Sequence, residues 1–143
     1  MKPSAFLLSV ICLLLYSYTS AQAYNLTVNI TGFRNSKGNL YITLYNKKDG
    51  YPKDHTKAFR LAYNGVVNNK CTVLFDGIPK GVYAIACYHD ENNNGKLDLN
   101  FIGIPKEGTG ASNNAKGFMG PPSFNDARFT VDGNTTQEIK ISY

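Results

Sequence analysis

The chain reads as an all-β protein: an antiparallel β-sandwich of about seven short strands carrying one long Gly-rich loop. Three observations predict this. Apolar residues recur at every second position through most of the chain, the pattern of strands buried on one face. Clusters of Gly, Asn, Asp and Pro separate these runs at short intervals. Beyond residue 23, no segment keeps helical periodicity over about three turns.

The first 23 residues read as a processing signal rather than as part of the fold. Lys2 gives a positive start, residues 6–15 are apolar, and Ala21-Gln22-Ala23 has the small-residue form of a cleavage site. The apolar run is shorter than the roughly 20 residues a membrane-spanning helix needs. The mature domain is therefore expected to be residues 24–143. Its length suits a single modest core, and the location expected for it is periplasmic or secreted.

Strand expectations follow in order. In residues 25–33, Leu26, Val28 and Ile30 alternate with Thr27, Asn29 and Thr31; after the polar turn 34–38, Leu40, Ile42 and Leu44 alternate with Tyr41, Thr43 and Tyr45. Pattern and turn chemistry predict a hairpin here. A polar stretch at 46–56 precedes a strand at 58–63, which ends in Asn64-Gly65, a dipeptide suited to tight reversal. Residues 71–75 and 82–89 are expected to pair around the 76–81 turn. Residues 127–131 and 135–143 are expected to close the fold as a hairpin around Asp132-Gly133-Asn134.

Charge and cysteine content narrow the function classes. The formal net charge is +5, but the basic residues are scattered, with Lys47-Lys48 the longest run. Nucleic-acid binding needs a clustered basic stripe or a recognisable motif, so no nucleic-acid partner is expected. No segment after the signal is apolar enough for a membrane span. With Cys12 inside the signal, the mature chain keeps Cys71 and Cys87. An oxidising compartment permits a disulfide between them, and the expected pairing of their strands places them near each other, although cross-strand geometry is demanding. A pair of small buried thiols is the alternative.

One segment breaks the alternation. Residues 90–126 show almost no strand pattern but hold six glycines and three prolines, together with the apolar residues Leu97, Leu99, Phe101, Ile102, Ile104, Phe118, Met119 and Phe124. Loops longer than about 15 residues are uncommon in compact domains and are usually functional or disordered. These apolar residues can anchor a folded excursion.

The excursion opens on His89-Asp90-Glu91-Asn92-Asn93-Asn94-Gly95-Lys96-Leu97-Asp98, which reads D-x-N-x-N-G-x-x-D. Calcium takes six to eight oxygens at about 2.3–2.6 Å, and a calcium loop supplies them from its positions 1, 3, 5, 7 and 9. Asp90, Asn92, Asn94 and Asp98 fit as side-chain ligands and Lys96 as a carbonyl donor. Gly95 permits the backbone angle such a loop requires. Phe101 stands where an EF-hand has its bidentate Glu, so Glu107, or Asp54 from the earlier polar stretch, is the candidate to complete the shell. The competing reading is an Asx-rich turn whose side chains bond their own backbone.

Other chemistry finds less support. Cys87, His89 and Glu91 alternate along one strand end, but a transition metal lacks a third firm ligand there. His55 and His89 are the only histidines, and neither sits in a nucleophile–base pattern. Asp98 and Glu107 are the pair a small hydrolase would use, and two acids in a Gly-rich loop are slight evidence for one. No enzymatic activity is expected.

From residue 81 to 129 the chain resembles a bacterial exported family, domain-of-unknown-function family 2141. The resemblance lies in Gly81-Val82-Tyr83-Ala84, the 89–98 turn and Gly103-Ile104-Pro105-Lys106-Glu107-Gly108. It continues through Ser112-Asn113-Asn114, Gly120-Pro121-Pro122-Ser123-Phe124 and Ala127-Arg128-Phe129. It implies a periplasmic or secreted, transthyretin-like or immunoglobulin-like sandwich with no established activity. Cys71 and Cys87 lie outside the pattern. The resulting expectation is a cell-envelope binding or accessory module with a structural calcium site. Its partner would be a protein or carbohydrate, met in part by tyrosines such as Tyr41, Tyr45 and Tyr88.

Overall fold

The computed structural model describes residues 22–143. The segment read as a signal lies outside the described residues except for Gln22 and Ala23, and Ala23 already belongs to the first strand. The strands are β1 (Ala23–Thr31), β2 (Asn39–Tyr45), β3 (Arg60–Gly65), β4 (Cys71–Pro79), β5 (Gly81–Asp90), β6 (Thr109–Ala111), β7 (Phe129–Val131) and β8 (Thr135–Lys140). One short helix, α1 (Phe124–Ala127), is capped by Ser123 and Asp126 in a reciprocal capping box.

The strands form a β-sandwich of two sheets, one ordered β4-β1-β8 and the other β3-β2-β5-β6, with β7 also pairing β5. Alternation sets which side chains go inward. Leu26, Val28 and Ile30 of β1 meet Leu40, Ile42 and Leu44 of β2 in one core with Val73, Phe75, Tyr83, Ile85 and Ile139. Full burial of each such aliphatic side chain stabilises the fold by about 1.5–3 kcal/mol.

Strand positions agree with the sequence reading more closely than strand pairings do. β1 and β2 are not a hairpin: they lie in different sheets, and the chain crosses the sandwich between them. β4 and β5 are likewise split between the sheets. In place of a closing hairpin, β7 pairs β5 and β8 runs parallel to β1, with Val28 opposite Gln137; every other strand pairing is antiparallel. Asn64-Gly65 is still inside β3, and the reversal follows at Asn68-Asn69. Both of these have positive φ, and the Val67–Lys70 bridge encloses them.

Cys71 and Cys87 are free, buried thiols rather than a disulfide. Cys71 pairs Ile30 of β1 and Cys87 pairs Ile42 of β2, so the strands that carry them belong to opposite sheets. Burial, helped by the nearby Cys71, pushes the Cys87 thiol up to about 12.

The long excursion is folded. It contributes β6 and α1, and it covers the outer face of β5, where Ala84, Ala111 and Ala127 pack with Tyr51, Ala115 and Phe124. Small side chains at Ala84 and Ala86 let it approach. Between β6 and β7, the Ser112 hydroxyl accepts the Ile85 N–H at 2.8 Å and donates to the Ala127 carbonyl. One serine thus satisfies backbone groups that neither short strand reaches.

Candidate functional site

The acidic turn begins at the last residue of β5, where Asp90 is buried. Its carboxylate accepts the N–H of Asn94 at 3.1 Å and of Gly95 at 2.9 Å, and the Tyr63 hydroxyl of β3 donates to it at 2.9 Å. The chain turns tightly enough to permit this because Asn93 and Gly95 take φ of +59° and +77°. Asn92 Oδ1 then accepts Asn94 N–H, and Asn94 Oδ1 accepts Lys96 N–H, both at 3.0 Å. Asn and Asp side chains bond backbone a few residues on, as Asx turns do.

Asp98 closes the circle. Its two oxygens accept the Asn92 and Asn94 amide groups at 2.7 and 3.0 Å. These bonds, that from Asn94 foremost, hold the Asp98 carboxyl below the usual range. The structure therefore gathers Asp90, Asn92, Asn94 and Asp98 into one turn, with Lys96 entering through its N–H. Each amide oxygen keeps a second lone pair, so the donor set suits a hard cation. Among the described residues, no three His, Cys, Asp or Glu side chains cluster as a metal site; the oxygens assembled here are half amide.

Glu107 reaches the turn, but its carboxylate binds the turn's backbone rather than converging with the other side-chain oxygens. Its two oxygens accept Glu91 N–H and Asp98 N–H, each at 3.0 Å. It binds both ends of the acidic turn and is itself buried. Asp54 does not join: it caps the 3-10 turn His55–Lys57 by accepting from Thr56. Outside the turn proper, Glu91 pairs with Arg34 at 2.6 Å and accepts from Asn35 at 2.8 Å, while Asn39 donates to Asn93 at 2.6 Å. The sequence reading missed Arg34, Asn35, Asn39 and Tyr63. No local spacing points to them, because they come from the 34–39 stretch and from β3.

His89 is structural. Its Nε2 lies 2.6 Å from the Lys37 carbonyl, which can only accept, so the ring proton sits there; Nδ1 then accepts from the Tyr143 hydroxyl at 2.7 Å. With both nitrogens engaged and Phe33 edge-on at 4.9 Å, His89 is not free to hold a metal.

The outer face of the β3-β2-β5 sheet carries an aromatic cluster beside the turn. Tyr41 stacks on Tyr88 at 4.9 Å, with His55 and Tyr63 set edgewise to it at 5.5 and 6.0 Å. Tyr45 lies on the same side of β2 but is covered: it is fully buried beside Tyr51, and its hydroxyl donates to the Pro52 carbonyl.

No curated protein and no solved structure matches the chain. Residues 28–140, which include every strand after the start of β1 and the whole acidic turn, match a family described as uncharacterized protein conserved in bacteria, DUF2141. Through that match the chain belongs to this bacterial family of undetermined function, as the residue blocks from 81 to 129 suggested.

Proposed function

We propose that the protein is an exported β-sandwich module of the cell envelope, binding or accessory in role, whose excursion is organised by calcium at the Asp90–Asp98 turn. The observation that carries this reading is the convergence of Asp90, Asn92, Asn94 and Asp98 in a turn that Glu107 holds closed at both ends. Calcium would be held by the carboxylates of Asp90 and Asp98, the amide oxygens of Asn92 and Asn94 and the Lys96 carbonyl. Its role is structural, replacing hydrogen bonds within the turn by ligation. Two carboxylates make a weak site, with a dissociation constant of order 10⁻⁴–10⁻³ M. The aromatic face of Tyr41, Tyr63 and Tyr88 is the surface offered to a protein or carbohydrate partner. Glu107, with both oxygens on backbone N–H groups, supports a non-enzymatic role over the alternative of a small hydrolase.

Thermal melts test the metal. Calcium at about tenfold over its dissociation constant should add about 1.4 kcal/mol, a rise of several degrees over the chelated protein. Asp98→Ala should abolish the rise. Asp98 is the better probe because Asp90 also supports the fold through buried bonds. Identical melts with calcium and with chelator would remove the calcium reading.

A further inference from the structure

The outer end of the excursion is a self-contained turn. Leu99 and Pro105 form an antiparallel bridge, and between them Asn100 N–H donates to the Ile104 carbonyl at 2.8 Å and Gly103 N–H to the Asn100 carbonyl at 3.0 Å. The Asn100 side chain accepts the N–H groups of Ile102 and Ile104 at 3.0 and 2.9 Å. The backbone donors of Asn100, Ile102, Gly103 and Ile104 are thus bonded within the turn, and the apex displays side chains. These are apolar: Phe101 is 99% exposed, Ile102 63%, Ile104 54% and Leu99 50%. Single exposed apolar residues are ordinary on a protein surface, but a contiguous group on one ordered tip marks an interaction site.

Two exposed lysines outnumber the one part-exposed carboxylate beside this tip. Lys96 and Lys106 are exposed and flank it on its two arms. Of the neighbouring carboxylates, Glu107 is buried against backbone N–H groups, whereas Asp98 is part-exposed and keeps its charge while accepting two Asn amides, so the flanks stay basic by one charge. The tip itself, residues 99–105, contains no charged residue.

We propose that this tip is an anchor for an anionic phospholipid surface. Phe101, Ile102, Ile104 and Leu99 enter the boundary between headgroups and acyl chains, and Lys96 and Lys106 meet the phosphates. A bilayer interface suits a convex apolar apex most of whose backbone donors are internally bonded, because the apolar region offers backbone groups no partners. Basic residues at the base of such an apex add attraction to an anionic leaflet. The assignment deepens the envelope-module reading by naming what the excursion binds. It does not depend on calcium, since Asn100 makes the bonds that shape the tip.

Co-sedimentation with vesicles tests it, using phosphatidylglycerol with phosphatidylethanolamine against phosphatidylcholine alone, each in calcium and in chelator. The protein should sediment with the anionic vesicles in both. The double variant Phe101→Ser, Ile102→Ser should bind at least about tenfold more weakly at an unchanged melting temperature, and Lys96→Gln with Lys106→Gln should weaken binding severalfold. No sedimentation with either lipid, equal sedimentation with both, or wild-type binding by the double variant would each overturn the proposal. So would a wild-type dimer that becomes monomeric in the double variant, which would assign the tip to a second copy of the chain. Vesicle binding combined with melts indifferent to calcium would overturn the metal alone.

Discussion

Glu107 accepts the N–H of Asp98 through Oε2 at 3.0 Å, and so ties the end of the acidic turn to the arm that leads into β6. Its other oxygen takes the N–H of Glu91 at the same distance. One buried carboxylate therefore holds both ends of the acidic turn and ties them to the returning arm of the excursion. Glu107→Ala should destabilise the domain by about 2–4 kcal/mol, since two backbone donors lose a charged acceptor. Glu107→Gln, which keeps one acceptor oxygen, should cost about half as much. Urea unfolding of both variants checks the order; equal and negligible costs would show that the carboxylate does not hold the loop.

Gly38 brings the 34–39 stretch against the backbone of the turn. It has φ of +65°, and a Cβ built on it would collide with the Asp90 carbonyl oxygen. Backbone strain and overlap act together at this position, so Gly38→Ala should cost more than about 2 kcal/mol. Amide exchange should show the loss first around residues 89–95. Gly133, where an added Cβ would meet no non-neighbouring atom within 4 Å, provides the control: Gly133→Ala should be milder.

Acid should loosen the turn. Glu91 is pushed up by burial, but the bonds from Asn35 and Arg34 outweigh this and leave its carboxyl below the ordinary value of 4.5. Asp98 is likewise held low by Asn94 and Asn92. A lowered folded-state value means that stability is fully present above the unfolded value. It is then lost as pH falls through the folded one. Melting temperature should therefore hold steady above about pH 5 and decline below about pH 4. Glu91→Gln should start from lower stability and decline less steeply; an identical decline would show that Glu91 is not among the groups responsible.

Buried free thiols give a chemical prediction. In native protein, Cys71 and Cys87 should resist alkylation at pH 8, because burial raises both thiols, Cys87 to about 12. In denaturant without reductant, both should react. A mass that shows two alkylations only after reduction would instead demonstrate a disulfide.

The sequence alone determined where the strands run. Leu26, Val28 and Ile30, or Leu40, Ile42 and Leu44, have no other way to share one buried face than a pleated strand. It also made the acidic turn legible, because Asx side chains bond backbone only a few residues away, and such bonds are written in local spacing. What it could not express was pairing. A strand's alternation states which side is buried and is silent on which strand lies beside it. Residues 34–38 therefore read as a hairpin turn although they carry the chain from one sheet to the other. Of the two readings left open for Cys71 and Cys87, the structure has the buried free thiols, on strands of opposite sheets rather than a hairpin pair. Only the tertiary structure brought Tyr63, Asn39, Arg34 and Asn35 to the turn, because side chains from β3 and the 34–39 stretch meet it through space. It alone set Phe101 and Ile102 outside the core as well, since apolar character says that a side chain gains by leaving water and not what it meets when it does.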